Sequence, residues 1–150
     1  MRTVEISSEA VREIEAHGEA TYPEECCGFL LGEEDATTRR IARIERAPNR
    51  VNASRERRYS IEPSDLIDLE HRLEGGDLRL LGIYHSHPDH PAQPSTFDQE
   101  HAWPWYAYLV LGVNSGRAGE LGAFELDGEA GAFDRSRLVV VGARSALSPS

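Results

Sequence analysis

Leu78-Arg79-Leu80-Leu81-Gly82-Ile83-Tyr84-His85-Ser86-His87-Pro88, followed seven residues later by Ser95-Thr96-Phe97-Asp98, decides the reading of this chain. Leu78 to Tyr84 is mostly apolar and gains β-branched and aromatic residues towards its end, which predicts a strand. That strand leads directly into His-x-His. Residues i and i+2 of a strand share a face, so His85 and His87 can converge on one point. Pro88 stops the strand. After a loop rich in Pro and His, Ser95 is a good helix N-cap and Asp98 falls in the first turn of a short helix running to about His101. Two imidazoles and a carboxylate suit zinc, and three protein ligands leave a fourth tetrahedral position open, as in a catalytic site. Each half has a plainer explanation. Histidines at strand ends are often solvated, and Ser95-x-x-Asp98 is a capping-box pattern that needs no metal. It is the combination, His-x-His-Pro followed by Ser-x-x-Asp, that is specific.

These residues resemble the JAMM motif of the MPN-domain metallopeptidases, which cleave at the C-terminal tails of ubiquitin-fold proteins. That family carries a glutamate three residues before a glycine in an apolar run, and Glu25-Cys26-Cys27-Gly28-Phe29-Leu30-Leu31-Gly32 is similar. The resemblance runs from about Val4 to Val140. It implies a mixed α/β fold (α+β in its segregation, cytidine-deaminase-like) with helices on the faces of a mixed central sheet. It also implies one zinc ion per chain on His85, His87 and Asp98, Glu25 as general base and then general acid, and Ser95 as a donor to the oxyanion. Gly28 to Gly32 becomes a central strand with Glu25 at its mouth. Without the resemblance Glu25 is one surface carboxylate among many, and Glu24 is its rival. Ala102-Trp103-Pro104-Trp105-Tyr106 resembles bacterial members that process small sulfur-carrier proteins.

Composition agrees with one globular domain. The chain has 150 residues, 39% hydrophobic and 28% charged, enough for a respectable core. No apolar run approaches the length of a membrane span, and Met1 to Glu5 opens no signal-peptide core. These readings, with two adjacent cysteines poorly placed for a disulfide, predict a cytoplasmic protein. The net charge of −10 argues against a phosphate-binding surface and hence against nucleic acid as a partner. Every strong base is arginine; the sequence contains no lysine.

Along the chain, Thr3 to Ile6 alternates as a first strand. Ser7 or Ser8 caps a helix to about Glu19 with Val11 and Ile14 inward. Cys26 to Leu31 is a buried strand or a helix end entering one. Thr37 to Ala47 is an arginine-rich strand. Pro48 to Arg58 is a polar loop ending in a short extended piece, Tyr59 to Ile61. A helix starts at Pro63, with Leu66, Ile67, Leu69 and Leu73 towards the core, and ends at Gly75-Gly76. Tyr106 to Val113 is a central strand. Gly119 to Leu126 and Phe133 to Val141 are two more, joined around Asp127-Gly128. The domain is expected to span residues 1–142, with a small, polar, disordered tail at 143–150.

Four functions compete. The leading one is a zinc metallopeptidase or isopeptidase acting on the Gly-Gly tail of a ubiquitin-like or sulfur-carrier protein, as a monomer or homodimer. A zinc nucleoside deaminase would need His-x-Glu and Pro-Cys-x-x-Cys, which the chain lacks. A RadC-like DNA-repair-associated protein shares the His-x-His-Pro and Ser-x-x-Asp signals but fits the acidic balance and the Glu25 to Gly32 stretch less well. The fourth is a non-catalytic MPN-type binding module for ubiquitin-like proteins. Other residues have weaker claims. His90 is expected at the entrance to the site, and His101 either beside it or facing solvent. In the short arginine-rich segment before the second helix, Arg57, Tyr59 and Ser60 are expected to contact substrate, with a tail adding as a strand along Tyr59 to Ile61.

Overall fold

The computed structural model describes residues 2–127 and 131–142. The expected tail at 143–150, and Gly128 of the expected turn, lie outside the described residues. Eight strands and three helices are seen among the described residues: β1 (Thr3–Ser7), α1 (Ser8–Thr21), β2 (Cys27–Glu34), β3 (Thr38–Ala47), α2 (Pro63–Leu73), β4 (Arg79–Pro88), α3 (Thr96–Glu100), β5 (Ala107–Asn114), β6 (Arg117–Asp127), β7 (Ala132–Ser136) and β8 (Leu138–Val141). They form one mixed sheet in the order β7-β6-β5-β4-β2-β3-β1-β8. β4 runs parallel to β5 and antiparallel to β2, so the histidine strand and the glutamate strand lie side by side at its centre.

Two helices cover opposite faces. Ser7 starts α1 by accepting the Ala10 N–H at 3.1 Å, and Ala10 and Ile14 then pack with Leu30, Tyr84, Leu109 and Leu111. On the other face Leu69, Leu66 and Leu73 of α2 pack with Phe29, Leu31, Ile83 and Tyr108. Successive residues of β2 and β5 thus feed the two cores alternately, and those of β4 do so on either side of a bulge at Leu81. This is why these strands read as continuous apolar runs. Ile67, expected inward, is 55% exposed; it sits one position off the stripe that Leu66, Leu69 and Leu73 define.

The expected single strand Phe133 to Val141 is two. It breaks at Arg137, whose carbonyl accepts the Val4 N–H at 2.9 Å. β7 then pairs with β6 and β8 with β1, at opposite ends of the strand order. A one-residue link between the two ends requires the sheet to curl until its edges approach each other. Arg39 reinforces the curl. Buried in β3, it reaches Glu125 of β6 at 3.4 Å and donates to the carbonyl of Leu81 at 2.8 Å. Leu81 is the extra residue of a bulge between β2 and β4, so its carbonyl lies outside the ladder and is free to accept.

The loop from Pro48 to Glu62 contains no strand. Ser60 donates its N–H to Asn49 Oδ1 at 3.1 Å, and its carbonyl accepts the Arg50 N–H at 3.0 Å. Both of its backbone groups are therefore engaged within the loop, and the expected strand addition has no open ladder position at Ser60. No helix among the described residues is long and apolar enough to cross a membrane.

Candidate active site

The histidine strand behaves as its period dictates. His85 and His87 sit two residues apart in β4, both buried, with their rings turned to one side. Their Nε2 atoms are 3.1 Å apart. Asp98 Oδ2 lies 3.0 Å from each. Three donor atoms at the corners of a nearly equilateral triangle match a tetrahedral zinc site, where ligand atoms stand roughly 3.3 Å apart. One proton on an Nε2 cannot bridge three mutual contacts, so hydrogen bonding alone does not account for the cluster. His87 Nδ1 lies 3.0 Å from the Pro91 carbonyl; donating there fixes the tautomer that leaves Nε2 bare for a metal. Burial draws the pKa of His85 below its ordinary value although Asp98 opposes this, favouring the neutral, metal-binding form. For Asp98, burial would raise the pKa. The two imidazoles and the Ser95 N–H outweigh that and hold it well below the usual carboxylate range.

Ser95 and Asp98 form a reciprocal capping box on α3. Ser95 Oγ accepts the Asp98 N–H at 3.1 Å, and Asp98 Oδ2 accepts the Ser95 N–H at 2.8 Å. The plainer reading of this motif therefore holds, and it is compatible with a metal-ligating Asp98. The cap uses a lone pair of Oγ and leaves the hydroxyl proton free to donate into the cleft.

Glu25 precedes β2 and is 2% exposed, whereas Glu24 faces solvent. A carboxylate oxygen of Glu25 comes within 4.8 Å of ring nitrogens of both His85 and His87. Asp98 Oδ2, at 3.0 Å from each, has the spacing of a ligand. Glu25 Oε1 has no hydrogen-bond partner, nor do Asp98 Oδ1 and His85 Nδ1, all three among buried atoms. Burial, with the charge of Asp98 adding to it, pushes Glu25 up to about 9. A cation among the neighbouring donors would lower it again. Residues aimed inward, unpartnered and mutually repulsive are what a metal centre leaves when its protein groups are viewed alone, and the donor set of His85, His87 and Asp98 fits zinc.

Three supporting residues were not recognised for these contacts from the sequence. Tyr59 stacks on His85 with ring centroids 4.4 Å apart and planes 21° from parallel, which places it against a ring of the donor triangle. Ser86, between the histidines, points to the opposite face. Its Oγ accepts the Cys26 N–H at 2.8 Å, tying the chain beside Glu25 to the histidine strand. Asn49 commits all of its side-chain capacity to backbone groups. Nδ2 donates to the carbonyls of Glu25 and Arg58 at 3.2 and 3.0 Å, and Oδ1 accepts from Val51 and Ser60. The Asx pattern around Asn49 is the one sequence signal that could have marked it; its long-range bond to Glu25 leaves none.

Arg57, Arg58, His87, His90, Ser95 and Phe97 line, with Glu25, a cleft of about 490 Å³. His90, expected at the entrance, is exposed and lines this cleft. Tyr59, Ser60, Asp98 and Trp103 line a second hollow of about 350 Å³. His101 does not join the site: it stacks on Phe97, and its Nδ1 lies 2.9 Å from the Phe97 carbonyl. Cys26 and Cys27 are buried free thiols, and burial pushes Cys26 up to about 11 and Cys27 higher still, so neither is a thiolate near neutrality.

Residues 7–126 match the family model described as prokaryotic homologs of the JAB domain. The site is thus that of a JAMM/MPN-type fold, and the chain belongs to the prokaryotic JAB family. Over 89 residues it is 35% identical to a protein of Haloferax volcanii named desampylase, covering 59% of this chain and 62% of that one. Over 108 residues it is 34% identical to a Thermus thermophilus protein named as a probable TtuB-protein conjugate cleaving protease, covering 72% and 69%. The match thus spans a little under two thirds of the first relative. Among solved structures, a Salinibacter ruber protein superposes with a TM-score of 0.70 at 36% identity, covering 94% of this chain and 92% of its own. A JAB1/MPN domain protein from Archaeoglobus fulgidus superposes with a TM-score of 0.55 at 16% identity, over 93% and 99%, a likeness of fold alone.

Proposed function

We propose that this protein is a zinc-dependent hydrolase that cuts the peptide or isopeptide bond after the C-terminal Gly-Gly of a ubiquitin-like or sulfur-carrier protein. The observation that carries this reading is the meeting of His85 Nε2, His87 Nε2 and Asp98 Oδ2 at 3.0–3.1 Å beside the buried, unpartnered Glu25 carboxyl. The names given to the Haloferax and Thermus relatives support the substrate class.

His85, His87 and Asp98 would hold one zinc ion, which supplies Lewis-acid polarisation of the scissile carbonyl and lowers the pKa of water. The rest of the chemistry belongs to the chain. Glu25 takes a proton from the attacking water through its unpartnered carboxyl oxygen and returns it to the leaving amine. Ser95, its Oγ already anchored by the Asp98 N–H, donates its hydroxyl proton to the developing oxyanion, an interaction commonly worth about 3 kcal/mol. Asn49 and Ser86 hold the Glu25–Cys26 peptide from both its ends, Asn49 donating to the Glu25 carbonyl and Ser86 accepting the Cys26 N–H, so little reorganisation is needed during reaction. Gly-Gly suits such a site because its backbone can approach closely without side-chain obstruction.

The test is incubation of purified protein with carrier proteins extended beyond Gly-Gly and with carrier–lysine conjugates, followed by mass spectrometry of the products. The expected result is release of the carrier ending in Gly-Gly, abolished by Glu25→Gln and by a chelator and restored by zinc. Intact substrates with zinc-loaded protein would overturn the proposal.

A further inference from the structure

The protein is strongly acidic overall, at −10, yet the loop that borders the cleft is basic. Between Pro48 and Ile61 it carries Arg50, Arg55, Arg57 and Arg58 against the single acid Glu56. Two of these arginines have structural partners. Arg50 makes a two-pronged pair with Asp65 at 3.1 and 2.9 Å, and Arg55 Nη1 donates to the Asn49 carbonyl at 2.9 Å. Arg57 and Arg58 are exposed, and among the described residues no carboxylate pairs with either. Both line the cleft with Glu25, His87 and Ser95. Arg58 lies over the Phe97 ring, 4.6 Å from its centroid. That cation–π contact holds the guanidinium beside α3 at the cleft.

We propose that Arg57 and Arg58 select the substrate by charge, favouring tails with aspartate or glutamate in the few residues before Gly-Gly and disfavouring tails with arginine or lysine there. This rests on the function proposed above and names a property of the same cleft. The scissile Gly-Gly has no side chain to read, and the leaving side of an isopeptide bond is an aliphatic lysine stem that varies little between targets. A charge reader beside the site therefore acts on the tail upstream of the glycines. Planar guanidinium groups match carboxylates through paired N–H donors. In a protein of net charge −10, a basic loop beside the cleft also steers an acidic partner to it. Exposed pairs are individually weak, so the selection is one of roughly tenfold in KM, and it is screened by salt.

The experiment compares two versions of one small carrier, identical except for Asp/Glu or Arg at the three positions before Gly-Gly, each with a short extension. KM and kcat are measured at low and high salt for the wild type, Arg57→Glu, Arg58→Glu and the double variant, with zinc content and Tm recorded for each. Fluorescent peptides of the two tails are titrated against the same zinc-loaded proteins, so that binding is read apart from cleavage. The expected result is a KM and a peptide Kd about tenfold lower for the acidic tail, a difference that shrinks at high salt and reverses in the double variant, with kcat little moved. Equal binding of both tails by the wild type, or an acidic preference that survives Arg57→Glu/Arg58→Glu, would overturn the inference. Acidic-peptide preference without cleavage of either carrier would uphold it and sink the hydrolase reading.

Discussion

Tyr84 lies so close to Gly28 that a Cβ at position 28 would clash with the edge and hydroxyl of the phenol ring. The two residues are partners in register between β2 and β4. The glycine of the glutamate stretch is thereby explained by the residue preceding the first histidine, and the two parts of the site are locked by one contact. Gly28→Ala must push an aromatic ring out of a filled core and is expected to cost at least ~1–3 kcal/mol. Denaturant unfolding at constant m-value checks this. Unchanged stability would mean that the ring has room to move.

Metal content separates ligands from neighbours. Wild-type protein is expected to hold one zinc per chain, and His87→Ala almost none. Tyr59→Phe keeps the stack on His85 and should leave zinc affinity intact, whereas Tyr59→Ala frees the ring and should weaken it by roughly 10–100-fold. Competition against a chelating dye measures both. Equal affinity in the two Tyr59 variants would show that the stack does not orient the ligand.

Glu25→Gln preserves shape and removes basicity. Turnover should fall by a factor of ~100 or more with zinc retained, while Glu24→Gln, at an exposed position, should behave as wild type. A reversed pattern would transfer the proton-handling role to Glu24.

Ser95→Ala removes a cap and a donor together. The cap is worth about 1 kcal/mol of stability, and the donor about 100-fold in kcat. If unfolding shows the first loss while kcat stays constant, the hydroxyl serves only as a cap.

His17 provides a pH signature on the far side of β4. Its Nδ1 lies 2.7 Å from Tyr84 Oη. Burial, with Arg46 adding to it, lowers its pKa to about 4. Between that value and the ordinary histidine value of about 6.5, the unfolded chain takes up a proton that the folded one refuses. Stability from this group is therefore complete above pH ~6.5, declines as pH falls, and stops declining below pH ~4. Subtracting the stability profile of His17→Gln from that of the wild type should isolate a slope in that window. A flat difference would mean that His17 titrates normally in the folded protein.

The sequence by itself determined the histidine–aspartate half of the candidate site. His85 and His87 share a face because strand side chains repeat every two residues, and Ser95 and Asp98 meet because a capping box spans three, so local periodicity almost specified the triangle. It also determined the two-faced burial of β2, β4 and β5, written as continuous apolar runs. What lies outside local periodicity was decided only in the tertiary structure. Glu25 is distinguished from Glu24 by burial, which depends on β2 pairing with a strand some 55 residues away in the chain. The break at Arg137 follows from the curl of the sheet, since β7 and β8 find partners at its two ends. The expected strand edge at Ser60 is closed because Asn49 and Arg50 occupy its backbone groups. The tasks of Tyr59, Ser86 and Asn49 are likewise contacts between segments distant in sequence. Such contacts are settled by which hydrogen-bonding groups and ring faces are left unsatisfied once the chain has packed, and no pattern of neighbouring residues records them.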